Sequence, residues 1–421
     1  MFSLKNEKRY IKILLIAVCS IFFAICLFTI FKYGNSTMLG NIDKPDNDDA
    51  KFVRSAWILA DTGKYIYQNI ATDTTFMMPG LAYTLAFLTL IFGKLGGLTA
   101  FRIIQALIQT LSLLLVFFMG RKLFESKVGI IAMVINSLCI WEIWTSNLIL
   151  TESFFKFFVL NMVFFCIYAI EENKIKYYIA AGIFWSLSAL FRPTITLFPV
   201  VILIMWIIKK YKFKDIFKHT ILVSLIFCAF LSPWWIRNYK MFNKFIPLTK
   251  AVGNPMLQGT YINYDQTTKT KYSLDYSQFK LNGGDERADN DLDIQVSKYR
   301  LKNLFWKQPL QFICWYTIGK TIYQIAIPFY WKEILGVHFY AAMIYYLIIM
   351  TLSIIGIIKY FKDKTKNKTS MLLFLTIIYF ILVYLPFYTC ARYFYPAMPY
   401  VIIFSAYGLL YFINKNKLVK R

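Results

Sequence analysis

The sequence predicts an all-α protein that crosses a membrane many times, and three observations predict it. Of its 421 residues, 58% are hydrophobic and only 16% are charged, whereas a soluble domain is nearer half apolar and a quarter charged. Several apolar runs are long enough to cross a bilayer as helices. The basic residues lie mostly at the ends of those runs. This composition excludes a cytosolic enzyme, a disordered chain and a disulfide-stapled secreted domain.

Ten segments are apolar enough to be membrane-spanning helices. They are residues 11–31, 98–119, 128–145, 151–170, 177–191, 193–208, 219–236, 338–358, 370–388 and 394–413. The first segment is interpreted as a retained span rather than a signal peptide, because its apolar core is long and no small-residue cleavage site follows it.

The distribution of lysine and arginine orients these spans, since basic residues in short loops mark the cytoplasmic side. With the N-terminus inside, the cytoplasmic segments hold 23 of the 47 basic residues and only 6 of the 22 acidic ones. Both termini are then cytoplasmic. Counting residues 78–92 and 311–331 as spans would move the later basic loops outside. We therefore predict juxtamembrane or re-entrant helices on the outer face for both stretches.

Two long outer segments remain, and we expect function to lie there because long loops in compact proteins are usually functional. The prediction is one transmembrane domain over residues 1–421, with a first outer loop at 32–97 and a second at 237–337. Six charged residues fall in or at the ends of spans, where charge is costly and marks candidate functional sites. They are Arg102, Glu142, Glu152, Lys156, Arg192 and Arg392.

Paired carboxylates, Asp48 and Asp49, stand at the start of a predicted amphipathic helix in the first outer loop. Two interpretations stay open. The carboxylates could cap the helix N-terminus, or one could be a general base that takes a proton from an acceptor hydroxyl or amine. Glu152 has similar alternatives. An i, i+4 pair with Lys156 would explain it structurally, whereas a functional role would be to orient an acceptor, help hold a divalent ion or tune Asp48.

Three arginines lie at outer ends of the predicted spans: Arg192, Arg237 and Arg392. A single one would be a snorkelling anchor. Three on the side opposite the basic loops favour an anionic ligand, and a guanidinium gives bidentate hydrogen bonds to phosphate. Tyr239, Tyr393 and Tyr395 would add hydroxyl donors. The chain has no GxGxxG or Walker-type phosphate loop, so a nucleotide-dependent soluble mechanism is not indicated.

Seven short stretches between residues 48 and 400 carry a resemblance to a known family. They are Asp48-Asp49-Ala50 with Thr62-Gly63; Met78-Pro79-Gly80 running to Phe92-Gly93; Arg121-Lys122-Leu123-Phe124; Leu150-Thr151-Glu152-Ser153; Phe191-Arg192-Pro193; Pro233-Trp234-Trp235-Ile236-Arg237-Asn238-Tyr239; and Arg392-Tyr393 with Pro396 and Pro399. In this order they resemble bacterial membrane glycosyltransferases of the GT-C fold, of the family 39 type related to protein O-mannosyltransferases and lipid A aminoarabinose transferases.

The resemblance implies a GT-C bundle of about ten transmembrane helices with outer juxtamembrane helices. It implies a polyprenyl-phosphate-linked sugar donor, reaction at the outer face and inversion at the anomeric carbon. It places the catalytic carboxylate at Asp48, with Asp49 as its acidic neighbour. Aminoarabinose transferases of this type have a lysine where this chain has Met78, so phosphate binding here is expected to depend on arginines.

The sequence therefore predicts a cell-envelope glycosyltransferase in the cell membrane, with its active site facing outward. Asp48 and Asp49 are the expected catalytic residues. The expected substrate-binding residues are Glu152, Arg192, Arg237, Tyr239, Arg392 and Tyr393. The expected partners are the lipid-linked donor, the bilayer and a protein, lipid or wall-glycan acceptor, without nucleic acid. Whether the protein requires a divalent cation stays open. The alternatives are a transporter or flippase of a lipid-linked saccharide, a wall-polysaccharide polymerase or ligase, and a structural subunit.

Overall fold

The computed structural model describes residues 2–5, 7–266, 274–280 and 285–419, and these residues form helices joined by loops, without a β-strand among them. Part of the predicted second outer loop, residues 267–273 and 281–284, therefore lies outside the described residues. The predicted all-α fold is confirmed.

The α-helices follow one another along the chain. They are α1 (Arg9–Tyr33), α2 (Asp48–Thr62), α3 (Gly80–Leu123), α4 (Ser126–Ser137), α5 (Ile140–Thr145), α6 (Glu152–Glu172), α7 (Ile175–Phe191), α8 (Pro199–Ile208), α9 (Phe213–Phe242), α10 (Gly253–Gly259), α11 (Glu286–Leu304), α12 (Pro309–Cys314), α13 (Lys320–Ile325), α14 (Phe339–Lys362), α15 (Met371–Leu382), α16 (Ala391–Phe394) and α17 (Met398–Val419).

Ten apolar helical segments of the described chain overlap the ten predicted spans. Six are long and apolar enough to cross a membrane: Arg9–Thr37, Gly80–Leu123, Glu152–Glu172, Phe213–Phe242, Phe339–Lys362 and Ala391–Asn414. Four are shorter: Ser126–Ser137, Ile175–Phe191, Pro193–Ile208 and Lys368–Leu382. These helices make the chain a multi-pass membrane protein. Its orientation, with both termini inside, stays a prediction.

Two predicted spans are shorter in the structure. The expected span 128–145 is interrupted, because α4 ends at Ser137 and α5 begins at Ile140. The Ser137 hydroxyl donates to the Val134 carbonyl at 2.8 Å, a local hydrogen bond that competes with helix continuation. The expected span 370–388 ends as a helix at Leu382, four residues before Pro386, which cannot donate a backbone hydrogen bond and restricts the residue before it.

The two stretches predicted to be juxtamembrane helices form separate helical units. Within α3, Gly93 has φ 73° and ψ 174°, a conformation that favours glycine, and it divides residues 80–92 from 94–123. Residues 309–325 form α12, a π-helical turn and α13. Leu310 and Ile322 are exposed on this second unit, whereas Trp315 and Lys320 are buried. Such an amphipathic pattern is typical of helices at a membrane surface, and the position at the membrane stays a prediction.

Close backbone packing joins α14 to α17, and α6 packs along α7. A Cβ atom added to Gly356 of α14 would lie 2.0 Å from the Phe404 carbonyl oxygen of α17. A Cβ atom added to Gly408 would lie 2.2 Å from the Leu352 carbonyl oxygen. Small residues at helix interfaces allow this close approach inside membranes.

Candidate active site

Four charged side chains, contributed by distant parts of the chain, meet in one cluster: Asp48, Glu152, Arg192 and Arg392. Nη1 of Arg392 donates to Oδ2 of Asp48 at 2.8 Å. Nε of Arg392 and Nη2 of Arg192 both donate to Oε1 of Glu152. Glu152 is 1% exposed, so its charge is compensated by two guanidiniums rather than by water. We call these four residues the acid–arginine cluster.

Local sequence places each member of the acid–arginine cluster. Asp48 is the first residue of α2, and Glu152 is the first residue of α6. Arg192 precedes Pro193, and a residue before proline is pushed into extended backbone. Its φ of −144° and ψ of 124° end α7. Nε of Arg192 then donates to the Thr151 hydroxyl at 2.7 Å. Arg392 lies in α16, just before the apolar helix α17.

Asp48 is not the cap of its helix. The side chain of Asn47 accepts the hydrogen bond of the Asp48 amide at 2.7 Å, so the capping interpretation is wrong for Asp48. Its carboxylate instead accepts from the Tyr67 hydroxyl at 2.8 Å and from Arg392. Burial raises the pKa of Asp48, but the charge of Arg392 and the hydrogen bonds from Arg392 and Tyr67 outweigh burial and hold the pKa below its ordinary value.

Glu152 does not pair with Lys156, so the structural i, i+4 interpretation is wrong. Nζ of Lys156 donates to Oε2 of Glu142 and to the side chain of Gln109. Glu142 and Lys156 are 1% and 0% exposed, and a buried ion pair needs its own partners. Glu152 is drawn to Arg192 and Arg392 because each guanidinium offers it a charge-assisted hydrogen bond.

Asp49 and Arg237 contribute to other groups of contacts. The buried carboxylate of Asp49 accepts from the backbone amides of Leu39 and Gly40 at 2.5 and 3.0 Å, and it thus fixes the chain that precedes α2. Nη2 of Arg237 donates to Asp73 at 3.0 Å, and its Nη1 donates to the Thr74 carbonyl at 2.7 Å. Their predicted catalytic and phosphate-binding roles stay predictions.

Tyr239 and Tyr393, the two tyrosines expected to bind substrate, lie in different environments. Tyr393 stacks on Tyr384 with ring centroids 4.4 Å apart, and the Arg192 guanidinium lies 5.7 Å from the Tyr393 ring. Tyr239 is 58% exposed. The structure therefore places Tyr393 beside the acid–arginine cluster and leaves Tyr239 on the surface.

Sequence reasoning missed Tyr67 and Thr151, which hold Asp48 and Arg192. Tyr67 is fully buried, and its ring stacks on Phe76 at 5.7 Å. Burial and the adjacent negative charge of Asp48 raise the pKa of Tyr67, so its hydroxyl remains a donor. No local spacing connects position 67 to position 48. Thr151 was named only as part of a motif, and nothing in its local pattern indicates an arginine partner.

A resident divalent cation does not fit the described site. Among the residues that the structure describes, no group of three His, Cys, Asp or Glu side chains could hold a metal ion. The two carboxylates of the acid–arginine cluster are both occupied by Arg392. A cation placed there would be repelled by the guanidiniums.

Two guanidinium NH2 groups of the acid–arginine cluster remain available to a ligand. Within the described chain, neither Nη1 of Arg192 nor Nη2 of Arg392 has a hydrogen-bond acceptor. The side chains of Arg192 and Arg392 are 11% and 12% exposed. The arrangement can therefore offer two guanidinium donors to an anion while its carboxylates keep the site neutral.

Comparisons with known proteins agree with this architecture. The family model of dolichyl-phosphate-mannose-protein mannosyltransferases matches residues 77–236, a range that includes Glu152 and Arg192. Curated proteins gave no match.

Solved structures of an archaeal oligosaccharyltransferase and, at a lower TM-score, of a bacterial ArnT are similar to the chain. The apo oligosaccharyltransferase of Archaeoglobus fulgidus is 15% identical, with a TM-score of 0.59 over 99% of this chain and 52% of that one. The same organism's AglB, in complex with an inhibitory peptide and a dolichol-phosphate, is 14% identical, with a TM-score of 0.54 over 98% of this chain and 52% of that one. ArnT of Cupriavidus metallidurans in the apo state is 13% identical, with a TM-score of 0.42 over 94% of this chain and 76% of that one.

This chain thus spans about half the length of the archaeal oligosaccharyltransferase that it matches. At this level of sequence identity, structural similarity shows a shared fold alone. The resemblance predicted from the motifs is confirmed, and the chain has the GT-C fold of membrane glycosyltransferases.

Proposed function

We propose that this protein transfers a sugar from a polyprenyl-phosphate-linked donor to an acceptor at the extracytoplasmic face of the cell membrane. The observation that carries the proposal is the acid–arginine cluster, in which two carboxylates and two guanidiniums share one site. The family match over residues 77–236 supports the donor class. The dolichol-phosphate in the complex of archaeal AglB is a lipid phosphate of the same kind.

Asp48 is the group that receives the acceptor. Its Oδ1 accepts a hydrogen bond from the Tyr67 hydroxyl, and its Oδ2 accepts one from Arg392. Each carboxylate oxygen has a second lone pair. That lone pair accepts the hydrogen bond of the acceptor hydroxyl or amine and orients it toward the anomeric carbon. A carboxylate with a lowered pKa is a weak base, so the proton passes to Asp48 late, as the new bond to the anomeric carbon forms.

Arg192 and Arg392 receive the phosphate. As the acceptor attacks, the bond between the anomeric carbon and the phosphate oxygen breaks, and the electron pair remains on the polyprenyl phosphate. The available Nη groups of both arginines stabilise that developing anion. One well-placed donor of this type typically contributes about 3 to 4 kcal/mol to catalysis. Attack from the face opposite the leaving phosphate inverts the anomeric carbon.

Comparative mass spectrometry of glycans and glycolipids tests the proposal. Cells that lack the protein should lose one hexose or aminosugar, and the wild-type chain should restore it, whereas Asp48→Asn should not restore it at equal expression. Asp61→Asn is the matched control, because Asp61 lies on the same helix, is 52% exposed and, among the described residues, pairs only with Lys94. Full restoration by Asp48→Asn would overturn the assignment and favour the flippase alternative.

A further inference from the structure

Residues 64–76 form the loop that follows α2. This loop carries Tyr67, whose hydroxyl donates a hydrogen bond to Asp48, and we call it the Tyr67 loop. Its two ends are joined, because the Thr74 amide donates to the Tyr65 carbonyl at 2.7 Å and the Tyr65 amide donates to Asp73 at 3.2 Å. Tyr65 and Tyr67 are both buried. The loop is therefore a compact unit whose position determines where the Tyr67 hydroxyl lies.

The peptide group between Tyr67 and Gln68 is held from both sides. Its carbonyl accepts from the Arg54 guanidinium of α2. Its N–H donates to Oε1 of Glu286 at 2.8 Å, and the Asn69 amide donates to the same oxygen at 2.8 Å. Oε2 of Glu286 accepts from the Thr74 hydroxyl at 2.5 Å. A peptide fixed at both its carbonyl and its amide cannot rotate, so the Cα atom of Tyr67, which lies in the same plane, is held in place too.

Glu286 belongs to the second outer segment, where it begins α11. The same segment holds the Tyr67 loop at two further points. Arg237 donates to the Thr74 carbonyl and to Asp73, and the Lys250 amide donates to the Thr75 carbonyl at 2.9 Å. Both of these contacts are at the far end of the loop. Among the described residues of the second segment, Glu286 is the one that bonds to the peptide next to Tyr67.

We infer that Glu286 is a positioning residue for Asp48: by fixing the peptide between Tyr67 and Gln68, it keeps the Tyr67 hydroxyl on the Asp48 carboxylate. This inference rests on the proposed role of Asp48 and extends it to the second outer segment. A displacement of the start of α11 would then withdraw a hydrogen bond from the carboxylate that receives the acceptor. The second outer segment thereby controls the Asp48 carboxylate without contacting it.

The charged and titratable groups around Asp48 fix the direction of the expected effect. Arg392, Tyr67 and Lys51 all favour its ionised form, and Glu152 acts through Arg392. Loss of the Tyr67 hydrogen bond removes one of these stabilising groups, so the pKa of Asp48 must rise. Loss of Glu286 should raise it as well if the two residues act in one chain of contacts.

Carbodiimide labelling of the protein in nanodiscs measures the pKa of Asp48 and does not require a known substrate. A carbodiimide reacts with the protonated carboxyl, and the Asp48 side chain is 34% exposed, so peptide mass spectrometry over a pH series gives the midpoint at Asp48. Tyr67→Phe should move the midpoint upward by about half a pH unit or more. Glu286→Ala should move it in the same direction, and the double variant should move it no further than the larger single shift.

Asp291→Ala is the matched control, since Asp291 lies on the same helix and its carboxylate pairs with the side chain of Lys250, not with the backbone amide that bonds to Thr75 in the Tyr67 loop. Its midpoint should equal that of the wild type. If Glu286→Ala does not fold, Glu286→Gln replaces it and should give a smaller upward shift. A wild-type midpoint in the Glu286 variant, or additive shifts in the double variant, would overturn the inference. Because labelling does not require transfer, it can succeed even if Asp48→Asn is active.

Discussion

At the scale of single residues, the acid–arginine cluster balances two carboxylates against two guanidiniums. Asp48 and Glu152 are both bound by Arg392, and Glu152 is also bound by Arg192. A phosphate that enters must therefore use the remaining Nη groups or displace a carboxylate. Removing Glu152 would leave the nearly buried Arg192 without its carboxylate, and removing Arg392 would leave Asp48 without its guanidinium, and both losses are costly.

The lowered pKa of Asp48 predicts how this cluster responds to pH. Asp48 ionises more readily in the folded chain than at its ordinary value of 3.8, so its stabilising contribution is fully present above the ordinary value and is lost as pH falls through the lowered one. The melting temperature of the wild type should exceed that of Asp48→Asn by a constant margin at neutral and mildly acidic pH. The margin should shrink only in strong acid, and a margin that disappears in the mildly acidic range would contradict this assignment.

At the scale of helices, the apolar segments were predictable because each is determined by its own composition. The break before α5 was not fixed by composition, since a polar side chain changes the backbone locally without changing the mean hydropathy. The division of α3 at Gly93 falls between the predicted helix 78–92 and the predicted span 98–119, which the distribution of basic residues had separated. The N-terminus of α2 at Asp48 was predicted from its turn and acids. One of the two open interpretations placed the cap on the acids, whereas the cap is Asn47; the pattern cannot separate them because Asn47, Asp48 and Asp49 all have side chains that can cap a helix.

The contact between α14 and α17 is where a small change should affect stability most. Gly356→Ala or Gly408→Ala would place a methyl group against a backbone carbonyl of the facing helix, and overpacking of this kind typically costs about 1 to 3 kcal/mol. Both variants should therefore melt at lower temperature than the wild type. Gly182→Ala is the control, because its Cβ would lie 3.3 Å from the end of the Ile226 side chain, and that side chain can move. Equal melting temperatures for all three variants would contradict the close approach.

At the scale of the whole molecule, the sequence identified the charged residues of the site but not their partners. The cost of charge at membrane depth singled out Glu152, Arg192 and Arg392, and all three lie in one cluster. Local spacing paired Glu152 with Lys156, because i, i+4 neighbours are visible in a sequence, whereas contacts with positions 40 and 240 residues away are not. The same limit explains why Tyr67 and Glu286 could not be predicted from any motif.

Arg237 illustrates this limit for the predicted arginine trio. Its guanidinium holds the Tyr67 loop through Asp73 and Thr74, so its contacts connect the two outer segments. If Arg237 binds phosphate, as the sequence predicts, Arg237→Ala should bind lipid phosphate more weakly than the wild type. Unchanged binding would remove Arg237 from the phosphate site and leave it a role in holding the loop.

Titration of the purified protein in nanodiscs with undecaprenyl phosphate tests the central claim most directly, because it separates the arginines proposed to bind phosphate from the carboxylate proposed to receive the acceptor. Arg392→Ala should weaken binding roughly tenfold or more, whereas Lys332→Ala, which removes an exposed cation bonded to the Met38 carbonyl, should bind as the wild type does. Asp48→Asn should bind at least as tightly as the wild type, since Arg392 is freed from a competing carboxylate. Wild-type affinity in Arg392→Ala, or loss of binding in Asp48→Asn, would contradict the account.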